Sequence, residues 1–110
     1  MATQKLNGKV ALVAGGAKNL GGLVSRELAN MGARVAVHYN SASAQPPADE
    51  TVADIKASGS DAFSIQADLT KSGEIARVFD ETINRFGGID VAVNTTGMVI
   101  KKPIELECPA

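Results

Sequence analysis

Short apolar runs alternate along the chain with longer segments in which apolar residues recur at helical spacing. The run Val10–Ala14 is apolar throughout, which is typical of a parallel strand covered on both faces. In Glu74–Phe86 the apolar positions follow a period near that of a helix. The pattern predicts strands at Val10–Ala14, Arg34–His38, Asp61–Gln66 and Ile89–Asn94, and helices at Leu20–Met31, Asp49–Ser58 and Glu74–Phe86, with a polar loop at Asn40–Pro47.

Small polar residues and glycines mark the ends of the predicted helices. A glycine follows each helix, at Gly32, Gly59 and Gly87, where a left-handed residue commonly ends a helix. Thr70 and Ser72 precede the third helix and are predicted to cap its start.

Strands that alternate with helices predict an α/β fold. Right-handed crossovers between such units build a doubly wound parallel sheet with helices on both faces, so we expect three layers of Rossmann-like type. Neither a linker nor a change of composition divides residues 1–110, and we expect a single domain. The segment Met98–Ala110 has no strong period and is predicted to be a loop.

Composition excludes several classes of partner and site. Apolar residues make up 45% of the chain and charged residues 21%, as in ordinary soluble domains. The net charge is −1 and aromatic residues are scarce, which argues against nucleic acid and membranes as partners. Cys108 is the only cysteine, so neither an internal disulfide nor a multi-cysteine metal site is expected. The sequence shows no signal peptide and no apolar segment of membrane-spanning length, and we expect a cytoplasmic protein.

The stretch Val10–Gly22 places a glycine-rich turn between a strand and a helix. Glycines let backbone N–H groups approach an anion, and the helix start attracts it through its dipole and unpaired N–H groups. The stretch contains neither G-x-G-x-x-G nor a Walker A loop, because Gly and Leu stand where the latter needs Lys and Ser or Thr. It reads Gly15-x-x-x-Asn19-x-Gly21, which favours a nucleotide cofactor over a purely structural turn.

The end of the second strand distinguishes between dinucleotides. An NAD site places a carboxylate there for the ribose 2′-hydroxyl, but no acidic residue occurs between positions 27 and 49. Asn40 and Ser41 offer hydrogen-bond donors instead, and Lys18 in the glycine loop adds positive charge, which suits a 2′-phosphate. We therefore expect NADP rather than NAD. His38, the only histidine, is expected to be structural.

The glycine loop resembles that of the short-chain dehydrogenase/reductase family, which reads T-G-x-x-x-G-x-G. Here Ala14 replaces the Thr and Asn19 replaces the middle Gly, and pteridine-reductase-like and some fungal members are similar at that point. After the third strand, Asp68 and Leu69 stand where similar members have an Asp–aliphatic pair. The resemblance implies that this pair contacts the adenine ring.

The fourth predicted strand also resembles a motif of this family, D-x-x-x-N-N-A-G. Asp90, Asn94 and Gly97 match it, whereas Thr95 and Thr96 depart from it. In the family this motif stabilises the central sheet beside the cofactor, and a threonine hydroxyl can still donate a hydrogen bond there.

The resemblance implies a sheet order of 3-2-1-4 and a chain that stops before a fifth strand. It further implies hydride transfer between a nicotinamide and a carbonyl or alcohol, with a Ser and a Tyr whose pKa is lowered by a Lys four residues later. Tyr39 is the only tyrosine and Ser43 stands four residues after it, so the catalytic set is expected beyond Ala110. We therefore expect the N-terminal half of such an enzyme, inactive by itself.

The predicted cofactor-binding residues come from all four motifs. They are Gly15, Lys18, Asn19, Leu20, Gly21, Asn40, Ser41, Asp68, Leu69, Asn94, Thr95 and Gly97. Two alternatives remain open. One is a non-catalytic nucleotide-binding or interaction module that self-associates or binds a partner through the exposed edge of the fourth strand. The other is a flavodoxin-like or similar doubly wound domain whose glycine turn is only structural.

Overall fold

The computed structural model describes residues 5–17 and 19–95. In chain order the elements are β1 (Val10–Ala14), α1 (Asn19–Asn30), β2 (Arg34–Tyr39), a short 3-10 helix (Ala42–Ala44), α2 (Gln45–Ala57), β3 (Ala62–Gln66), α3 (Glu74–Phe86) and β4 (Val91–Asn94). The four strands form one parallel sheet in the order β3-β2-β1-β4. The predicted α/β class, doubly wound sheet and strand order are confirmed.

Alternate residues of the central strands face opposite helix layers. Val13 and Val37 belong to a core shared with α1 and α2, in which Ile55 is almost fully buried. Leu12 belongs to the core on the other face, together with Val78 of α3. All five residues of β1 are buried, as its continuous apolar run predicts. Among the described helices, none combines the length and apolar character needed to cross a membrane.

The second helix begins earlier than predicted, at Gln45 instead of Asp49. Pro46 and Pro47, which the prediction assigned to a polar loop, lie in its first turn. Proline is tolerated there because the N–H groups of a first turn have no intrahelical partner. The connection after β2 is correspondingly short and contains the 3-10 helix Ala42–Ala44.

The predicted caps of the third helix are wrong. The N-cap position of α3 is Gly73, with φ of 85° and no side-chain cap. Thr70 bonds to a residue before it in the chain instead. Its N–H and hydroxyl both donate to Asp68 Oδ1, at 3.0 and 2.6 Å. A carboxylate two residues upstream competes for these donors in the manner of an Asx turn.

Asp90 ties the start of β4 to the start of β1. Its Oδ2 accepts a hydrogen bond from Val10 N–H at 2.9 Å, and its own N–H donates to Val10 O at 2.8 Å. The strand itself begins at Val91 rather than at Ile89. The other element boundaries lie within about two residues of the prediction, the usual scatter of helix and strand ends.

Replacing Ile55 by Ala is expected to lower the free energy of unfolding by about 2–5 kcal/mol, because the side chain is 1% exposed and its removal leaves a cavity. The matched control is Ile83→Ala on α3, where the side chain is 44% exposed and a loss below about 1 kcal/mol is expected. Urea unfolding measures both values. Equal losses would contradict the burial of Ile55.

Candidate functional site

All four strands end at one edge of the sheet, because parallel strands point their carboxyl ends the same way. The predicted binding residues that the structure describes follow these ends. They are Gly15 after β1, Asn19, Leu20 and Gly21 at the start of α1, Asn40 and Ser41 after β2, Asp68 and Leu69 after β3, and Asn94 and Thr95 at the end of β4. Lys18 and Gly97 lie outside the described residues.

The helix α1 begins with an asparagine in the left-handed conformation. Asn19 has φ of 57°, and among the described non-glycine residues it alone has a positive φ. Asparagine adopts this conformation more readily than most residues that carry a Cβ, so it can replace the glycine of the resembling loop. The first turn of α1 contains no acidic residue. No side-chain charge in that turn therefore opposes an anion at the helix start.

Gly21 brings the start of α1 directly against the glycine loop. A Cβ at this position would overlap Gly15 O and lie 2.8 Å from Thr95 Oγ1. One helical turn later, the buried Ser25 hydroxyl lies 2.9 Å from Gly21 O and 3.1 Å from Gly16 O, and donates to these carbonyls. Close packing is therefore the reason that position 21 requires glycine.

Two threonines hold the glycine loop from other elements. After β4, the Thr95 hydroxyl lies 2.8 Å from Ala14 O and 3.1 Å from Gly15 O, and Thr95 N–H donates to Ala14 O at 3.0 Å. Thr95 departs from the asparagine of the resembling motif, yet its hydroxyl donates at this corner. From α2, the buried Thr51 hydroxyl donates to Ala17 O at 2.8 Å.

His38 bridges the ends of three neighbouring strands. It is 1% exposed, its Nδ1 accepts from Gly15 N–H at 3.0 Å, and its Nε2 lies 2.8 Å from Ala67 O. Because one partner is a donor and the other an acceptor, the ring is neutral with its proton on Nε2. Burial lowers the pKa of His38, the hydrogen bond to Ala67 O raises it, and the charge of Arg77 lowers it. Burial and two hydrogen bonds to the backbone are typical of a structural histidine.

Asp68 and Leu69 offer different groups to the edge of the sheet. The side-chain and backbone hydrogen bonds from Thr70 lower the pKa of the Asp68 carboxyl, so it is ionised at neutral pH and can accept from an amine. The Leu69 side chain is buried in the core with α3. Its backbone is therefore the part available to a ligand.

The end of β2 presents hydroxyl and amide groups. Asn40 and Ser41 are exposed, and Ser41 Oγ lies 3.0 Å from Ser43 Oγ. Gln66 Nε2 donates to Asn40 O at 3.3 Å, which joins this segment to the end of β3. The sequence has no acidic residue from position 28 to 48, so no carboxylate of this segment would repel a phosphate.

The sequence did not reveal how three residues hold the glycine loop. Ser25 and Thr51 were not singled out, and His38 was given no partner. A polar residue on an otherwise apolar helix face could have indicated such a role. Thr51, which shares the buried face of α2 with Ala48 and Ile55, is an example. Such a residue needs a partner, but periodicity does not name that partner.

Comparison with known sequences extends the motif resemblance over nearly the whole chain. Residues 9–109 match the family model described as short chain dehydrogenase. Over 102 residues the chain is 44% identical to the hydroxynaphthalene reductase-like protein Arp2 of Metarhizium robertsii, covering 93% of this chain and 38% of that protein. Over 95 residues it is 41% identical to the short chain dehydrogenase/reductase nsrJ of Aspergillus novofumigatus, covering 86% and 35%. The chain thus spans less than two fifths of the length of these curated relatives.

Solved structures show the same similarity in three dimensions. A dehydrogenase from Burkholderia cenocepacia with bound NADP is 53% identical, with a TM-score of 0.82 over 94% of this chain and 40% of that one. A blue fluorescent protein from a metagenomic library, in complex with NADPH, is 37% identical, with a TM-score of 0.81 over 91% and 40%.

Gly21→Ala is expected to lower the free energy of unfolding by about 3 kcal/mol, because its Cβ would overlap Gly15 O. Gly22→Ala is the matched control at the next position. Its Cβ would meet the flexible Arg26 side chain at 3.1 Å and Ala17 O at 3.2 Å, and a change within about 1 kcal/mol is expected. Thermal unfolding of both variants checks the difference, and a harmless Gly21→Ala would contradict the packing.

Proposed function

Because the chain belongs to the short-chain dehydrogenase family, we propose that it forms the NADP(H)-binding part of an oxidoreductase acting on a carbonyl or alcohol. One observation carries the proposal: the glycine loop, a helix start without acidic residues and a β2 end without a carboxylate meet at one sheet edge. The NADP and NADPH in two similar structures support it.

In this proposal the pyrophosphate binds at the glycine loop and the start of α1. The N–H groups of Asn19, Leu20 and Gly21 belong to a first helical turn, whose donors have no intrahelical partner. Together with the positive end of the helix dipole they attract an anion. Gly15, with φ of 76°, turns the chain out of β1 without a Cβ in the way.

In the same proposal the residues that follow β2 and β3 would hold the adenosine end of the cofactor. Asp68 would accept a hydrogen bond from the exocyclic amine of adenine, and the backbone of Leu69 would lie beside it. Lys18, Asn40 and Ser41 supply the charge and the donors for the 2′-phosphate. The remaining proposed contacts are Asn94, the last residue of β4, Thr95 directly after it, and Gly97.

Turnover needs groups that these 110 residues do not supply. Family chemistry uses a tyrosine as the acid or base, but Tyr39 is 8% exposed in the core with α1 and α2, and Ser43 replaces the lysine. When bound, the nicotinamide supplies or accepts the hydride. We therefore propose that the chain binds the cofactor without turnover and that the catalytic Ser, Tyr and Lys stand outside residues 1–110.

The chain is expected to bind NADP more tightly than NAD by about tenfold or more, because charge-assisted hydrogen bonds to the 2′-phosphate have no counterpart in NAD. Calorimetric titration of the chain with each dinucleotide measures the ratio. A preference for NAD would contradict the assignment of the 2′-phosphate site. Binding of neither dinucleotide would support a glycine turn with only a structural role.

Lys18→Ala separates the phosphate contact from general binding. We expect the variant to lose about tenfold in NADP affinity and little in NAD affinity, since only NADP carries the additional charge. The matched control is Lys56→Ala. Lys56 lies in the last turn of α2, and this helix runs away from the end of the sheet that carries the candidate site. Equal losses for both dinucleotides would place Lys18 away from the 2′-phosphate.

Self-association through β4 is a second candidate function. Among the described strands β1 is the one neighbour of β4 in the sheet, and Val91, Ala92 and Val93 are only half-buried. An apolar strand with an unpaired edge is a template for another chain. Sedimentation velocity over a range of protein concentrations is expected to show a rising sedimentation coefficient. A monomer at every concentration would contradict this candidate.

A further inference from the structure

One side chain connects the two parts of the proposed cofactor site. The His38 ring lies between Gly15, the first residue of the glycine loop, and Ala67, the residue directly before Asp68. His38 O also accepts a hydrogen bond from Gly16 N–H at 2.9 Å. One residue therefore spans the distance between the glycine loop and the segment that begins at Asp68.

Both hydrogen bonds of the ring exist in only one of its three protonation states. Gly15 N–H needs an unprotonated Nδ1, and Ala67 O needs a proton on Nε2. Protonating Nδ1 would set two N–H donors against each other across 3.0 Å. The other neutral tautomer would lose both bonds. Each change leaves a buried polar group without its partner, which is costly.

Beyond the hydrogen bond to Ala67 O, the surroundings of the ring do not compensate a positive charge. From α3 the ring feels Arg77, whose guanidinium donates to Gln66 O at 2.6 Å and pairs with Glu74 at 2.8 Å. From β1 and from the end of β3 the ring meets backbone groups, and beyond them one oxygen of the Asp68 carboxylate, Oδ1, accepts two hydrogen bonds from Thr70. In the described part of the chain no carboxylate lies within ion-pair distance of the ring.

We propose that His38 is a positioning residue whose neutral, Nε2-protonated ring holds the glycine loop at the spacing that NADP requires, so that protonation of the ring weakens dinucleotide binding. The proposal rests on the proposed function. Burial keeps the pKa of His38 below its ordinary value. The contribution of the two bonds to stability is therefore complete above about pH 6.5 and is lost as the pH falls through the lower folded-state pKa.

The first test needs no ligand. Because His38 is the only histidine, two-bond proton–nitrogen NMR spectra of the chain report on this ring without ambiguity. We expect the neutral Nε2–H form at neutral pH, persisting below about pH 6.5 in a titration from about pH 8 to about pH 5. A ring that is protonated on Nδ1 at neutral pH would overturn the proposal.

The second test measures NADP affinity against pH. The 2′-phosphate itself titrates near pH 6, so each profile must be compared with a variant that lacks the imidazole. His38→Asn retains an acceptor near Nδ1 and His38→Gln a donor near Nε2, whereas His38→Leu retains neither. We expect His38→Leu to bind about tenfold more weakly at high pH, partial rescue by Asn or Gln, and a shallower loss toward low pH in all three.

Thr82→Val is the control for general destabilisation. Thr82 is fully buried and its hydroxyl donates to Val78 O within α3, away from the glycine loop. We expect it to keep the affinity and the pH profile of the unaltered chain. His38 variants with that same affinity and profile would overturn the proposal.

The outcomes separate this inference from the function on which it rests. If the unaltered chain does not bind NADP at high pH, the proposed function fails and the coupling to affinity fails with it. If the chain binds and the His38 variants match it, only the positioning role fails. If the His38 variants do not fold, the NMR titration of the ring decides whether the positioning role stands. It is then compared with the pH dependence of NADP affinity in Thr82→Val, after allowance for the ionisation of free NADP.

Discussion

Between the end of β1 and the start of α1 the backbone leaves the sheet, and its polar groups have to be paired by side chains. Thr95 bonds to Ala14 O and Gly15 O, Thr51 to Ala17 O, and His38 to Gly15 N–H. Buried backbone groups without partners are costly, so each tether removes a penalty. Because the tethers come from β2, α2 and the end of β4, the loop keeps its shape only when those elements are packed around it.

Much of the fold could be predicted from periodicity and glycine spacing. Val10–Ala14 is buried at every position because continuous apolar runs suit strands covered on both faces. The prediction was wrong where the same residues are compatible with two local structures. Pro46 and Pro47 suit a loop and a first helical turn equally, and packing of α2 through Ala48 decides for the helix. Thr70 suits a helix cap and an Asx turn equally, and Asp68 decides for the turn.

The candidate site was predictable where it depends on strand ends and unpredictable where it depends on contacts between elements. Asn40 and Asp68 follow strands that run in the same direction, so their common edge could be inferred from the sequence. The partners of Thr51 and His38 could not, because they are backbone groups 34 and 23 residues away. Every residue has a backbone carbonyl and nearly every residue has an N–H, so the sequence does not show which of them is the partner. Only the packed arrangement of α2, β1 and β2 identifies it.

The left-handed Asn19 has a consequence for the entropy of the chain. A glycine samples more backbone conformations when unfolded than any other residue, and ordering it removes more entropy. Asn19 has a φ of 57°, which a glycine would adopt without strain. Asparagine samples fewer backbone conformations in the unfolded chain, so it loses less entropy on folding, at the cost of modest strain. Folding therefore costs less backbone entropy at the start of α1 than it would with a glycine at position 19.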